Sequence, residues 1–158
     1  MPKPAEILSV GYARLPPRRF TRIVSFVDYI IDTRSKPVSR KPGWSQLDLS
    51  RKFGAKYRWE GTLLGGLGKG VHASGLANLR ALSDQGKRLL LICLEEAPGD
   101  CHRHRMIARR LLPDREVLHI YRDEVVTASE LERSIRDESY EYASERLSAV
   151  LKRLGPRA

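Results

Sequence analysis

A disulfide scaffold is the first thing this chain lacks the means to build. It has two cysteines in 158 residues, and in a reducing compartment such thiols serve as buried hydrophobes, ligands or nucleophiles. It also has no apolar run near the roughly 20 residues of a membrane-spanning helix, which argues against insertion into a membrane. The opening Met-Pro-Lys-Pro-Ala-Glu leads into only four strand-like residues and has no apolar core of a secretory signal. A cytoplasmic location is therefore the expectation. Internal repeats and low-complexity tracts are missing as well. With 41% hydrophobic and 30% charged residues the chain is too apolar to stay disordered, and its length suits one domain that hides about two thirds of its unfolded surface.

Complete cofactor motifs are absent too. Cysteine-centred anion loops place an arginine six positions after the cysteine, whereas Gly99 follows Cys93 and Ile107 follows Cys101 at that distance. In Leu64-Gly65-Gly66-Leu67-Gly68-Lys69-Gly70, a glycine stands where a P-loop needs Ser or Thr, and Val71 replaces the third dinucleotide glycine. No nucleotide cofactor is expected. Cys93, Cys101, His102 and His104 lie close in sequence but match no standard zinc spacing, and two histidines two apart on a helix point to different sides. No metal is expected either, and His119 reads as a satisfied core or edge residue.

What is present in excess is positive charge, with a net of +10. Residues 1–60 hold 13 Lys/Arg against 5 Asp/Glu, residues 61–112 hold 8 against 4, and residues 113–158 hold 8 against 10. A basic first two thirds attracts phosphate, in nucleic acid or in a phosphorylated small molecule.

Periodicity supplies the elements. Ile7 to Val10, stopped by Gly11, and Phe26 to Ile31, ending at Asp32, read as buried strands. Pro16-Pro17 opens a helix with Phe20, Ile23 and Val24 on one face. After a polar loop, Ser45 is placed to cap a short helix carrying Leu47 and Leu49, and Lys56 to Trp59 suits a third strand. Leu76, Leu79 and Leu82 mark a helix closed by Gly86. Leu89 to Leu94 runs apolar without alternation, as a central strand covered on both faces requires. Asp100 is expected to cap a helix over Cys101 to Leu112, followed by a strand over Val117 to Tyr121. Thr127 and Glu130 form a capping box for the next helix, and Ser139 begins a last one carrying Tyr142, Leu147, Val150 and Leu151. The expected class is α/β, a single domain with a mostly parallel, Rossmann-like sheet, flanking helices and a C-terminal helical tail. Its core spans 1–124, and the acidic tail of 125–158 packs on that core or extends from it.

In such sheets ligands sit outside the carboxyl ends of the strands. Gly11 and Tyr12, Asp32 to Arg34, and Cys93 to Glu96 should meet on that rim. The same segments carry a likeness. Ser9-Val10-Gly11-Tyr12, Asp32-Thr33-Arg34 with Pro37, Ser39 and Arg40, Leu64-Gly65-Gly66, and Cys93-Leu94-Glu95-Glu96 with Cys101-His102-Arg103 together resemble the family called domain of unknown function 488. The likeness covers roughly residues 7–121, in order, and leaves out the tail from Val125. It implies an α/β domain in which these segments recur, and names no reaction.

Candidate chemistry follows from the rim. Asp32 and Glu95 can act as paired carboxylates, one ionised and one protonated, which suits N-glycosidic hydrolysis or transfer; structurally, Asp32 can instead pair with Arg34 and Glu95 with Arg103. At the expected helix start, the amides of His102 and Arg103 with the Arg103 side chain can hold a phosphate, or Cys101 can be a nucleophilic thiolate. Cys93 reads as a buried structural thiol. The glycines of the Leu64 to Gly70 stretch let backbone approach a ligand or hinge a lid. Arg14, Arg18, Arg19, Arg22, Arg34, Lys36, Arg40 and Lys41, with Tyr12, Phe20 and Trp44 among them, can grip phosphate and stack a base. The candidate catalytic residues are thus Asp32, Glu95 and Cys101; the candidate substrate-binding residues are Tyr12, Arg34, Ser39, Arg40, His102 and Arg103. An enzyme acting on a nucleic acid, nucleotide or phosphorylated substrate without a cofactor is the leading expectation. A non-catalytic nucleic-acid-binding module, its acidic tail docked on the basic face, and a cysteine-thiolate enzyme are the alternatives.

Overall fold

The apolar runs assemble into one mixed sheet. In the computed structural model, which describes residues 3–68 and 70–157, the strands are β1 (Ile7–Gly11), β2 (Tyr29–Asp32), β3 (Tyr57–Trp59), β4 (Leu89–Cys93), β5 (Val117–Tyr121), β6 (Glu124–Thr127) and β7 (Glu145–Arg146). Lys69 of the glycine-rich stretch lies outside the described residues. Their order is β3-β2-β4-β1-β5-β6-β7. Pairing is parallel from β3 to β5 and antiparallel from β5 to β7. β1 and β4, in the middle, are buried at every position, because helices cover both faces of the sheet.

The helices are α1 (Pro17–Val24), α2 (Gln46–Phe53), the single turn α3 (Gly61–Leu64), α4 (Ala73–Asp84), a π-helix (Arg103–Ala108) running into α5 (Arg109–Leu111), α6 (Ala128–Arg136) and α7 (Leu147–Leu154). Strand alternation sorts them into two layers. Leu8, Val10, Ile30, Leu90 and Ile92 pack against Phe20 and Ile23 of α1, Leu49 of α2, and Val150 and Leu151 of α7. Ile7, Ile31, Leu89 and Leu91 pack against Leu76 and Leu79 of α4, Ile107 of the π-helix and Ala128 of α6. Two anticipated caps are in place: Ser45 Oγ accepts from Asp48 N at 3.2 Å and Thr127 Oγ1 from Glu130 N at 3.2 Å. No helix among the described residues is long and apolar enough to cross a membrane.

The topology creates a switch point. β4 lies between β1 and β2, so the chain leaves β1 across β4 toward one edge and leaves β4 across β1 toward the other. The two connections run in opposite layers, α1 in one and the π-helix in the other, and they part above the carboxyl ends of the two strands.

Two segments depart from expectation. Asp100 is not a helix cap: Pro98 opens its own tight turn over Pro98–Asp100, Cys101 is extended (φ −122, ψ 148), and helical structure begins only at Arg103. The tail from Val125 is not simply helical, because Val125 and Val126 are buried in β6. Tyr142 precedes the last helix, which starts at Leu147. α7 is tied down at its end by buried Arg88, whose guanidinium donates to the carbonyls of Phe26, Leu154 and Gly155 and to Glu6 Oε1. Deleting residues 147–158 removes three buried aliphatic side chains, worth roughly 1.5–3 kcal/mol each, and strands Arg88. The truncated chain is expected to lose its cooperative thermal transition; a melt within a few degrees of the intact protein would show that α7 is dispensable.

Candidate active site

β1, β2 and β4 end side by side, with Gly11 opposite Cys93 and Asp32 opposite Ile92. The residues that follow enclose a cleft of about 360 Å³ whose walls include Tyr12, Arg34, Lys36, Cys93, Glu95 and His102. Gly11 makes this closeness possible, since a Cβ there would overlap the carbonyl oxygen of Glu95. Gly65 and Gly66 act similarly across the cleft. A Cβ on Gly66 would meet the His102 ring at 2.9 Å and one on Gly65 would meet Ser35, so these glycines admit the protein's own side chains.

Asp32 is committed elsewhere. Its carboxylate is fully buried and takes three bonds from Arg34, the backbone N–H at 3.1 Å, Nε at 2.9 Å and Nη2 at 2.7 Å, and a fourth from the Tyr57 hydroxyl. Arg34 also donates to Trp44 O at 2.6 Å and Tyr12 OH at 3.2 Å. Burial and the neighbouring Asp32 push the Tyr57 hydroxyl up, which keeps it a donor. This clamp pins the loop of residues 33–44 to the sheet. The paired-carboxylate arrangement is therefore not formed: Glu95 stands at the cleft, whereas Asp32 faces inward toward Tyr57.

The sulfur side of the rim is different. Cys93 Sγ, Cys101 Sγ and a ring nitrogen of His102 all lie within 4.8 Å of one another. Cys101 Sγ is 3.7 Å from His102 Nδ1, while His102 Nε2 donates to Thr33 O at 3.0 Å, a bond that assigns the proton to Nε2 and leaves Nδ1 facing the sulfur. The hydrogen bond with Cys93 draws the Cys101 thiol down to about 6; burial opposes this, and His102 and Arg103 assist it. Burial, with Cys101 beside it, pushes Cys93 up. His102 is raised, because contact with Cys101 outweighs burial. Glu95 lies below the ordinary value: burial would raise it, but its own amide and the two thiols prevail. Cys101 is 1% exposed and Cys93 also 1%, yet Cys93 and His102 form part of the cleft wall and Cys101 does not.

Arg103 holds this cluster from below. Its guanidinium, 0% exposed, donates to Cys93 Sγ at 3.1 Å, Ser9 Oγ at 2.8 Å, and the carbonyls of Glu95 and Glu96 at 2.9 Å each. Its backbone N–H goes to Cys101 Sγ at 3.5 Å. The expected phosphate cradle is thus filled from within, because the Arg103 amide and side chain both turn to internal partners. A buried chain continues from Ser9 to His119 Nδ1, from His119 Nε2 to His104 Nδ1 at 3.0 Å, and from His104 Nε2 to Glu132 Oε1 at 2.8 Å. Ser9 accepts from Arg103 and so donates to His119, and each ring then donates onward, which requires both histidines to be neutral.

The remaining candidates scatter. Ser39 Oγ accepts from Lys41 N at 3.1 Å in its own loop, and Arg40 is exposed on that loop; neither is on the cleft wall. Tyr12 and Trp44 stack on each other with centroids 4.6 Å apart, and Phe20 packs against Trp44. All three are buried, so these rings are not free to stack a base. Arg19 pairs with Asp123 at 2.7 Å. Sequence reasoning placed Cys93 on the rim but read it only as a buried structural thiol, and it missed the Ser9–His119–His104–Glu132 chain. The available signal was a polar residue at an inward position of an apolar strand, Ser9 among Ile-Leu-Ser-Val and His119 among Val-Leu-His-Ile. Comparison with protein-family models, with curated proteins and with solved structures finds no match.

Two expectations follow. Arg103→Lys keeps a charge but loses the planar fork, leaving Ser9, Cys93 and the two carbonyls short of donors. A loss of about 3 kcal/mol in denaturant unfolding is expected, and a loss below about 0.5 kcal/mol, the size of a neutral surface change, would mean that the fork is not needed. The second concerns acid. His119 and His104 lie below the ordinary histidine value of 6.5, both chiefly by burial. Because the folded value is the lower one, their contribution to stability is complete above 6.5 and is lost as pH falls toward the folded value. The urea midpoint should drop between pH 7 and pH 5; a flat midpoint would mean that the rings are already charged when folded.

Proposed function

We propose that the cleft is the active site of a hydrolase or transferase acting on a nucleotide, nucleic acid or other phosphorylated substrate, with Glu95 as general base. The observation that carries this reading is the exposed Glu95 carboxylate on the wall of a cleft that Lys36 also lines, with the Arg34 guanidinium, held by Asp32, in the same wall. The cleft opens where ligands of open α/β sheets sit. A base there takes the proton of an attacking water or acceptor hydroxyl, while the basic surface of the first 60 residues draws in the phosphate. With Asp32 bound to Arg34, a glycosidic version of the reaction relies on Glu95 alone.

The order of the rim motifs supports, as a proposal, membership of the domain of unknown function 488 family, and two unlinked cysteines fit a reducing cytoplasm. The Cys101–His102 contact favours a second reading, a thiolate nucleophile oriented by its base. It has less support, since a nucleophile must come within about 3–3.5 Å of the reacting atom and Cys101 is buried and not on the cleft wall. The binding-module reading is weaker still, its aromatic platform being buried.

The test is a panel of nucleotides, nucleotide conjugates and oligonucleotides incubated with the full chain, with products read by mass spectrometry. Turnover is expected for one class and should fall at least about 100-fold in Glu95→Gln, with melting unchanged because the side chain is exposed. A Glu95→Gln protein as active as the parent removes Glu95 from the mechanism.

A further inference from the structure

We propose that Cys93, Cys101 and His102 hold one soft divalent cation, Zn²⁺ by chemistry, on the floor of the cleft beside Glu95. The inference rests on the cleft being a reaction site only for its catalytic consequence; the binding stands on the ligand set itself.

Four observations carry it. First, the three ligand atoms lie within 4.8 Å of one another, and the 3.7 Å between Cys101 Sγ and His102 Nδ1 is close to the roughly 3.6 Å that tetrahedral angles give with Zn–S near 2.3 Å and Zn–N near 2.0–2.1 Å. Second, His102 already has the outer contact of a metal-bound imidazole, its far nitrogen donating to a backbone carbonyl, here Thr33 O at 3.0 Å. Third, both sulfurs receive N–H donors from Arg103, and such bonds tune metal thiolates without displacing the metal. Two thiolates also cancel the charge of the cation, so the neighbouring guanidinium faces a neutral unit. Fourth, three protein ligands leave one position open, and Cys93 and His102 open onto the cleft wall that carries Glu95. That is the pattern of a catalytic rather than a purely structural zinc site.

Burial suits a ligand better than a nucleophile. Cys93 and Cys101 are each 1% exposed and Cys101 is not among the residues of the cleft wall, yet it can share a cation with Cys93 and His102. Adjacent ligands at 101 and 102 are feasible because Cys101 is extended and the helix begins after His102. On one continuous helix they would diverge by about 100°; the expectation of no metal rested instead on spacing and on His102 and His104 pointing to different sides of such a helix. With a cation bound, Cys93 gives its proton to solvent and becomes the second thiolate.

The full chain, reduced and stripped with a chelator, is titrated with Zn²⁺ alone against a chromophoric chelator and with Co²⁺ followed by absorption. One equivalent of Zn²⁺ is expected, with a sulfur-to-Co²⁺ charge-transfer band in the near ultraviolet and protection of both cysteines from alkylation by Zn²⁺. Cys101→Ser and His102→Ala should each weaken binding by about 100-fold. The Co²⁺ spectrum and the alkylation assay need only the parent protein, so a poorly folding variant does not decide the matter. Less than one equivalent bound, a Co²⁺ spectrum without the thiolate band, or Zn²⁺ affinity unchanged in both variants overturns the site. Zn²⁺ binding in a chain inactive on every substrate upholds the metal site and removes the hydrolase reading. Full turnover in the stripped protein upholds that reading and overturns the catalytic consequence of the metal.

Discussion

The buried guanidinium of Arg103 is the constraint around which the rim is arranged. Taking such a group out of water costs several kcal/mol unless its donors are met, and here they end on a sulfur, a hydroxyl and two carbonyls rather than on a carboxylate. Each of those partners is thereby fixed. The carbonyls of Glu95 and Glu96 hold the loop after β4 against the end of β1, where Gly11 leaves room for it. Ser9 is turned to start the histidine chain. Cys93 is held at the cleft wall, and the backbone of Arg103 holds Cys101 behind it. The position of Glu95 is therefore a consequence of packing beneath it.

Strand alternation then divides the chemistry between two faces of one sheet. Asp32 ends β2 in the layer of Ile30, Tyr57 and Trp44, where its carboxylate closes a clamp with Arg34. Cys93 ends β4 in the layer of Leu89 and Leu91, under the π-helix. The two groups approach one rim from opposite faces, and one serves architecture while the other serves the site. Residues beyond the strand ends, such as Glu95 and His102, escape this alternation and line the cleft together with Cys93.

That division explains what could be read in advance. The strands β1 to β5 and the helices α1, α2 and α4 are legible because burial on one or two faces leaves a period in the residues, and the rim is legible because parallel order dictates which strand ends meet. For Asp32 the sequence offers two readings, and the one found is the pair with Arg34; what selects it is not legible, since Tyr57 comes from another strand and the carbonyl of Trp44 from a loop without periodicity. Nor is the pairing of Cys93 with Cys101: Asp100 has the composition of a helix cap, but Pro98 takes the turn one step earlier and leaves Cys101 extended. β6 was missed because Val125-Val126 is too short a run to outweigh the helical residues around it.

The polarity of the buried chain completes the link between core and cleft. Donation runs one way, from Arg103 through Ser9, His119 and His104 to Glu132, so the histidines carry no charge, and the nearest fixed anion on that side lies at the far end of the relay. Arg109 Nε, 2.7 Å from Glu132, claims part of that anion as well. Compensation for the Arg103 cation must then come from its other side, where the thiols of Cys93 and Cys101 and the carboxylate of Glu95 stand. The sulfur side of the rim is in this sense shaped by the core before it is a property of the site, and sulfurs that bind a cation there still accept the N–H donors of Arg103.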